Sequence, residues 1–362
     1  MNIYKFLKRY YNYIQIILFS VVSFHLGCGF AVNWAKFDCD TENNIVRLDS
    51  YLQTSFGGIE YAVLVLTGPD NTDKRDVIRQ TWMKLSNNIN IKNKPYRSGY
   101  VEQKPQFLKI FFAVGTQGLD KKKLHDLSLE DTKNKDILFL QDLQDSYKNL
   151  TLKLLNSLKW LNENLPKLKY VVKCDDDSFV RLDLIVKEIE NYAPEMSAAE
   201  ISSYVTHQES LPSYSGLYWG YFFGKATVFR SGKWKEPNWF LCDTYLPYAL
   251  GGGYVISRSI VDYISRNHND LVTYNSEDVS MGVWTAALKG INRVHDVRFD
   301  TQWRSRGCLN SMLIRHKQTP QDMLDMYSTL TETNGIKLCK NEALKFRQYS
   351  YNWNEKPSMC CT

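Results

Sequence analysis

Three consecutive acids, Asp175, Asp176 and Asp177, follow the stretch KYVVKC and precede SFVRLD. Adjacent carboxylates repel one another, so a chain that keeps three needs something to compensate them. Oxygen ligands in that number suit a divalent cation whose shell is completed by a phosphate-bearing substrate. A helix N-cap at the turn, with Ser178 opening the next apolar segment, accounts for one acid and leaves two over. A second acid pair, Glu277 and Asp278, stands in NSEDVSMG. It reads as a helix start, with Ser276 as the cap and acids that suit the dipole. It reads equally as a general base, a carboxylate kept ionised beside the hydroxyl it deprotonates. The run Gly251, Gly252, Gly253 in ALGGGYV either makes a tight loop or lets backbone approach a ligand. Trp219 and Gly220 read first as packing, and His316, in LIRHKQ, first as a structural histidine after a short apolar strand.

Such groups need a frame. YAVLVLTG (61–68), FLKIFFAVG (107–115), DILFL (136–140) and KYVVKC (169–174) predict buried strands, and DKRDVIRQTWMKL (73–85) predicts a helix. Tyr147, Leu150, Leu154, Leu158, Leu161 and Leu165 recur at helical spacing until Pro166 ends the run. Strand–helix alternation implies a mostly parallel sheet with helices on both faces, and ligands then bind beyond the carboxyl ends of the strands. The three acids fall there. After about residue 200 the pattern changes. LYWGYFFGKATVFRSGKW predicts a hairpin, YALGGGYVISRSIVDYI a Gly-rich loop, a short strand and a helix, and SEDVSMGVWTAAL the start of another helix. The expected frame is one mixed α/β domain, a nucleotide-type half followed by a more irregular one.

With 362 residues, 44% hydrophobic, the chain can bury a large core, and its net charge of +6 shows no basic clustering of the kind nucleic acid requires. Lys5, Lys8 and Arg9 precede YIQIILFSVVSFHLGCGFAV (13–32), which holds no Asp, Glu, Lys or Arg. About 20 apolar residues span a bilayer, whereas a cleaved signal peptide has an apolar core of about 7–15. The reading is a signal-anchor with a cytoplasmic N-terminus: tail 1–12, transmembrane segment 13–33, luminal stem 34–58 and catalytic domain 59–362. Outside the anchor stand Cys39, Cys174, Cys242, Cys308, Cys339, Cys360 and Cys361, with no CxxC pair. That argues against zinc and for disulfides in an oxidising compartment, with a thiol left over. NLT at Asn149 is an N-glycosylation pattern, roughly opposite the leucine stripe.

RDVIRQTW, FFAVGT, DSYKNLTLK, VVKCDDDSFV, YWG, PYALGGGYV, EDVSMG and IRHKQTPQDM occur in an order that resembles glycosyltransferase family 31, the inverting β-1,3-glycosyltransferases. The resemblance implies a GT-A-like, Rossmann-type fold in a single-pass type II protein of the Golgi membrane, using UDP-galactose and Mn²⁺. It implies metal ligation by Asp177 and His316, with Asp175 in the metal shell and His295 as the fallback histidine. Asp175 and Asp176 would stand near the ribose. Arg75, Arg79, Asp142 and Lys153 would lie on the nucleotide side, and Trp219, Gly252 and Gly253 at the donor. Asp278, beside Glu277, matches the family's base. SRGC (305–308), HDVRFDT (295–301) and YNWNEKPSMCC resemble the branch that builds the glycosaminoglycan linkage region. The acceptor implied is the galactose of Gal-β-1,4-Xyl on a proteoglycan core serine, with a homo-oligomer or other linkage-region transferases as further partners. Ala249 and Ser280-Met281-Gly282 depart from the wider family, which commonly has Cys at the first and Tyr-x-Gly at the second. Two alternatives stay open: a β-1,3-N-acetylglucosaminyltransferase, and a membrane-anchored carbohydrate-binding protein that lost catalysis.

Overall fold

Tyr61–Leu66 is buried at every position, as a strand covered on both faces must be, and forms β1. The computed structural model describes residues 56–89, 107–192, 216–346 and 348–361, and from Gly58 onward these lie in one unit, Gly58–Thr362. The tail, the anchor at 13–33 and nearly all of the stem lie outside the described residues. Among those described, no helix is long and apolar enough to cross a membrane.

After β1 come α1 (Thr72–Gln80), β2 (Leu108–Gly115), α2 (Lys121–Asn134), β3 (Ile137–Leu140), α3 (Leu150–Asn164) and β4 (Tyr170–Asp175). These four strands are parallel in the order β3-β2-β1-β4. The chain moves outward from β1 to β3 and then returns to the other side of β1. Connections therefore leave β1 and β4 in opposite directions and open a crevice at their carboxyl ends. Leu66 and Asp175 face each other in register at that end.

β5 (Phe179–Val180) and α4 (Leu182–Tyr192) follow at once, then β6 (Gly216–Phe222), β7 (Ala249–Ser257), α5 (Arg258–Arg266), α6 (Glu277–Ala286) and β8 (Ile291–His295). The sheet continues β4-β7-β6-β8, with β7 antiparallel to both neighbours and β8 parallel to β6. The mostly parallel sheet expected from the sequence is present. The hairpin expected at 217–234 is not, because β6 spends its two edges on β7 and β8. Residues 224–248 instead cross over irregularly, with a bridge from Thr227 to Thr244, around their own cluster of Val228, Trp239, Tyr245 and Tyr248. The three glycines also lie inside β7 rather than in a loop.

β9 (Phe299–Asp300), β10 (Gly307–Cys308), β11 (Ile314–Arg315), α7 (Pro320–Glu332) and β12 (Ala343–Leu344) complete the order. A small sheet β5-β11-β9 sets the residue after β11, His316, against the turn after β4. Thr319 and Asp322 cap α7 reciprocally, with Pro320 in its first turn, which fixes the exit from that corner.

Alternation sorts the core. Val63, Val65, Ile110, Phe112, Val172 and Trp219 pack with Ile78 of α1, Ile185 of α4 and Met323 of α7. On α3, Leu154, Leu158 and Leu161 of the stripe are buried, with Leu155 beside them, while Leu150 is half-buried; each buried leucine contributes about 1.5–3 kcal/mol. Tyr147 lies in a 3₁₀ turn ahead of the helix rather than in the stripe.

Candidate active site

The three acids diverge as β4 turns. Asp176 is buried and points across the crevice, accepting hydrogen bonds from Thr67 Oγ1 (2.8 Å), Asn71 Nδ2 (2.7 Å) and Lys74 Nζ (2.9 Å). Asp175 takes the Lys173 ammonium at 2.9 Å and Asp177 the Lys317 ammonium at 3.0 Å. The compensation that the sequence analysis sought from a metal is thus supplied in large part by the chain's own lysines. Burial opposes ionisation of Asp175, yet Lys173 and His316 hold it well below the usual carboxylate range.

Asp175 and Asp177 both face the imidazole of His316, with Nε2 at 3.4 Å from Asp175 Oδ2 and 3.0 Å from Asp177 Oδ1. Candidate ligand atoms from these three residues lie within 4.8 Å of one another. Although they are close, Asp177 Oδ1 and His316 Nε2 are buried without a well-aligned hydrogen bond. Buried polar atoms in that state can be satisfied by an ion or a water, and carboxylate oxygens with one imidazole fit a divalent first-row metal such as Mn²⁺. Without the ion, burial disfavours a charged His316, but the two carboxylates outweigh it and raise the imidazole to about 9. Gly252 makes this placement possible, because a Cβ there would stand 2.6 Å from the His316 ring. The fallback His295 is excluded by geometry. Its Nδ1 accepts the Phe222 N–H and its Nε2 faces the Tyr349 carbonyl, away from the acids.

The second acid group opens α6 and is joined to the first by Lys173, a strand residue with no chemical signal of its own in the sequence. This fully buried ammonium contacts Asp175, Glu277 Oε1 and the Gly251 carbonyl. Glu277 Oε2 is buried and unpaired, and burial raises Glu277 to about 8 against the pull of Lys173. Burial raises Asp278 as well, and Lys173 with the N–H groups of Gly251 and Val279, each at 2.9 Å, acts against it. Of the pair, Glu277 is the one whose surroundings more strongly favour a proton. Gly251 clears the way, since a Cβ there would lie 2.7 Å from Glu277 Oε1. Ser276 makes no side-chain cap bond, contrary to expectation. A cavity of about 660 Å³, walled by Tyr147, Thr151, Lys233, Glu236, Tyr274 and Asn275, lies along the loop that leads into α6. Burial first, then the charges of Asp278 and Glu277, raise the Tyr147 hydroxyl.

Other expected site residues are placed differently. Lys153 is buried near the crevice, on the Thr67 carbonyl at 2.6 Å and on Asp145. Asp142 is exposed, and it is Asp145, three residues on, that meets Lys153 and the Gly115 N–H. Arg75 is fully buried and spent on Glu130 (2.8 and 2.7 Å) and the Gly68 carbonyl (2.6 Å), so it shapes the loop after β1. Arg79 lies a turn deeper, on Asp136 and Glu130. Trp219 is fully buried and donates its indole N–H to Asp296 at 3.0 Å. It packs on Tyr192 and Phe299, so the packing reading replaces the donor-site one. Gly253 would meet Ile314 at 2.7 Å through a Cβ, which makes it a contact to the small sheet. Asn149 donates its amide to the Gln144 carbonyl, and Thr151 of the same pattern is buried on the Tyr274 carbonyl. Cys308 pairs with Cys339 and Cys360 with Cys361, while Cys174 and Cys242 are free. Cys39 lies outside the described residues.

A crevice at a topological switch point, with a possible cation-binding group joined through Lys173 to a second acid pair, suits an enzyme that transfers a group from a phosphate-bearing donor. Residues 73–297 match the family described as Galactosyltransferase, well over half of the chain, and the chain belongs to that family. It is 40% identical over 300 residues to β-1,3-galactosyltransferase 6 of Mus musculus, covering 83% of this chain and 82% of the relative. β-1,3-Galactosyltransferase 4 of Mus musculus is 28% identical over 294 residues, 75% of this chain and 73% of the relative. UDP-GalNAc:β-1,3-N-acetylgalactosaminyltransferase 2 of Xenopus laevis is 32% identical over 201 residues, which are 56% of this chain and 36% of that protein.

Proposed function

We propose that the chain is an inverting β-1,3-galactosyltransferase that moves galactose from UDP-galactose to the 3-hydroxyl of galactose in Gal-β-1,4-Xyl on a proteoglycan core serine. It would work in the Golgi lumen, anchored by residues 13–33. The observation that carries this reading is the likeness to β-1,3-galactosyltransferase 6 of Mus musculus, supported by the Lys173 ammonium, which joins the group Asp175, Asp177 and His316 to the acid pair through Glu277.

Mn²⁺ held by Asp177, His316 and Asp175 would supply positive charge to the departing diphosphate. The remaining work falls to the chain. A sugar hydroxyl is too weak an acid to ionise unaided, so Asp278 takes its proton as the new bond forms. Burial strengthens Asp278 as a base, and the N–H groups of Gly251 and Val279 fix its two oxygens. Asp176, locked to Thr67, Asn71 and Lys74, lines the crevice on the side where a nucleotide would lie. In a single displacement the bond from the anomeric carbon to UDP breaks and the bond to the acceptor oxygen forms, which turns an α-linked donor into a β-linked product.

Residues 36–362, purified and supplied with Mn²⁺, UDP-galactose and a Gal-β-1,4-Xyl acceptor, should release UDP. No turnover above an Asp278→Asn control overturns the proposal. A panel of UDP-galactose, UDP-GlcNAc and UDP-GalNAc on the same acceptor decides the donor.

A further inference from the structure

We infer that Glu236 is the positioning residue of the base, tying the irregular crossing 224–248 to the start of α6. The inference rests on the reading of Asp278 as the base. The first N–H groups of a helix have no partner within it and must be met from outside. Ser276, in the cap position, does not meet them with its side chain. Glu236 grips the segment that enters the helix. Its Oε2 accepts the Asn275 N–H at 2.9 Å and its Oε1 the Ser276 N–H at 2.7 Å. Two oxygens on two successive N–H groups set both the direction and the height at which the chain enters α6, and Asp278 is two residues further on. The carboxylate is only 2% exposed, and a negative charge there also suits the positive end of the helix.

Glu236 is itself fixed. Its N–H donates to the Phe229 carbonyl at 2.8 Å. Trp239 packs on Tyr245 and Tyr274, which closes the crossing against the loop before α6. Asn275 returns a bond to the Lys233 carbonyl at 3.2 Å. Glu236 also stands in the wall of the 660 Å³ cavity. The cavity wall and the entry to α6 are therefore one bonded unit, and the two Glu236 oxygens are taken by Asn275 and Ser276 rather than by Asp175, Asp177 or His316.

Glu236→Gln tests this with almost no change of shape. An amide offers one acceptor oxygen, so one of the two N–H groups loses its partner and faces another donor. A base displaced by even about 1 Å can cost about 10²-fold in rate. In the full chain, Glu236→Gln should lower kcat about 10- to 100-fold and raise KM for the acceptor, while the dissociation constants of UDP and Mn²⁺, measured by calorimetry without acceptor, stay at the wild-type values. A merely structural role would weaken UDP and Mn²⁺ binding in step with kcat, and that result overturns the inference, as does an unchanged kcat. Asp278→Asn is measured alongside. If Asp278→Asn is inactive and Glu236→Gln is wild-type, only the role of Glu236 falls. If Asp278→Asn keeps wild-type turnover, the base assignment falls and takes this inference with it. Should Glu236→Gln not fold, hydrogen exchange on the wild-type protein decides. Protected amides at Asn275 and Ser276 support the grip, and amides exchanging at the rate of free loops overturn it.

Discussion

On the β1 side of β4, Arg75 lies on Glu130, Arg79 on Asp136 and Glu130, Lys153 on Asp145, and Asp176 on Thr67, Asn71 and Lys74. On the β7 side, Asp177 Oδ1, His316 Nε2 and Glu277 Oε2 are buried without hydrogen-bond partners, and one ammonium, Lys173, serves Asp175 and Glu277 together. The first region closes its ion pairs and the second leaves valences open. A closed buried pair holds the backbone in place, whereas an open buried group costs desolvation that only a ligand, a proton or a reacting hydroxyl can offset. Under the proposed function, the contrast separates charges that build this protein from charges through which it would act.

Substitutions can break or sharpen that contrast. The largest effect is expected at the proposed base, which stands beside the open Glu277: Asp278→Asn should cut UDP release about 10²- to 10⁴-fold with the thermal midpoint preserved, and a near-wild-type rate would remove the base from the acting side. Lys173→Met strips the shared ammonium from two carboxylates and should cost about 3–5 kcal/mol in urea unfolding. Adding Glu277→Gln should return part of that, and no recovery would mean that the two do not act as a pair. Gly252→Ala pushes on the His316 ring and should weaken Mn²⁺ half-saturation about 10- to 100-fold with little change in stability. At a closed pair the pattern should reverse. Glu130→Gln should lose about 1–3 kcal/mol of stability and leave kcat alone.

The smallest tests are in pH. Burial disfavours ionised Glu130, but Arg75 and Arg79 outweigh it and lower its pKa. Its stabilisation is therefore complete above the unfolded carboxylate value and is lost as pH falls through the lower folded one. Asp278 shifts the other way and must be ionised to act, so kcat/KM for the acceptor should fall on acidification at a pH above the ordinary carboxylate value of about 4. An acid limb at the ordinary value would mean that burial does not tune this base.

The parallel half was legible in the sequence because buried parallel strands are near-continuous apolar runs and α3 carries its stripe in plain spacing. Asp175 to Asp177 at the end of the fourth run followed from the same pattern. The half after β6 was misread where partners are distant. LYWGYFFGKATVFRSGKW has hairpin-like composition, yet β6 finds β7 and β8 instead. The glycines looked like a loop because nothing local shows that His316 and Glu277 must pack against that strand. Lys173 read as one more strand residue, although its spacing from Asp175 places both on one face and could have marked it.

By itself, the sequence determined the alternating strands and helices of the nucleotide-type half, the position of the three acids at the end of its fourth strand and the presence of a second acid pair at a helix start. These are local matters of periodicity and chain connection. Only the tertiary structure decided which charges are spent and which are kept. Lys173 meets Glu277 from 104 residues away, Glu236 reaches Ser276 across 40, and Lys317 reaches Asp177 across 140. A carboxylate's role depends on what surrounds it once water is excluded, and those neighbours are brought together by the sheet, not by the order of residues along the chain.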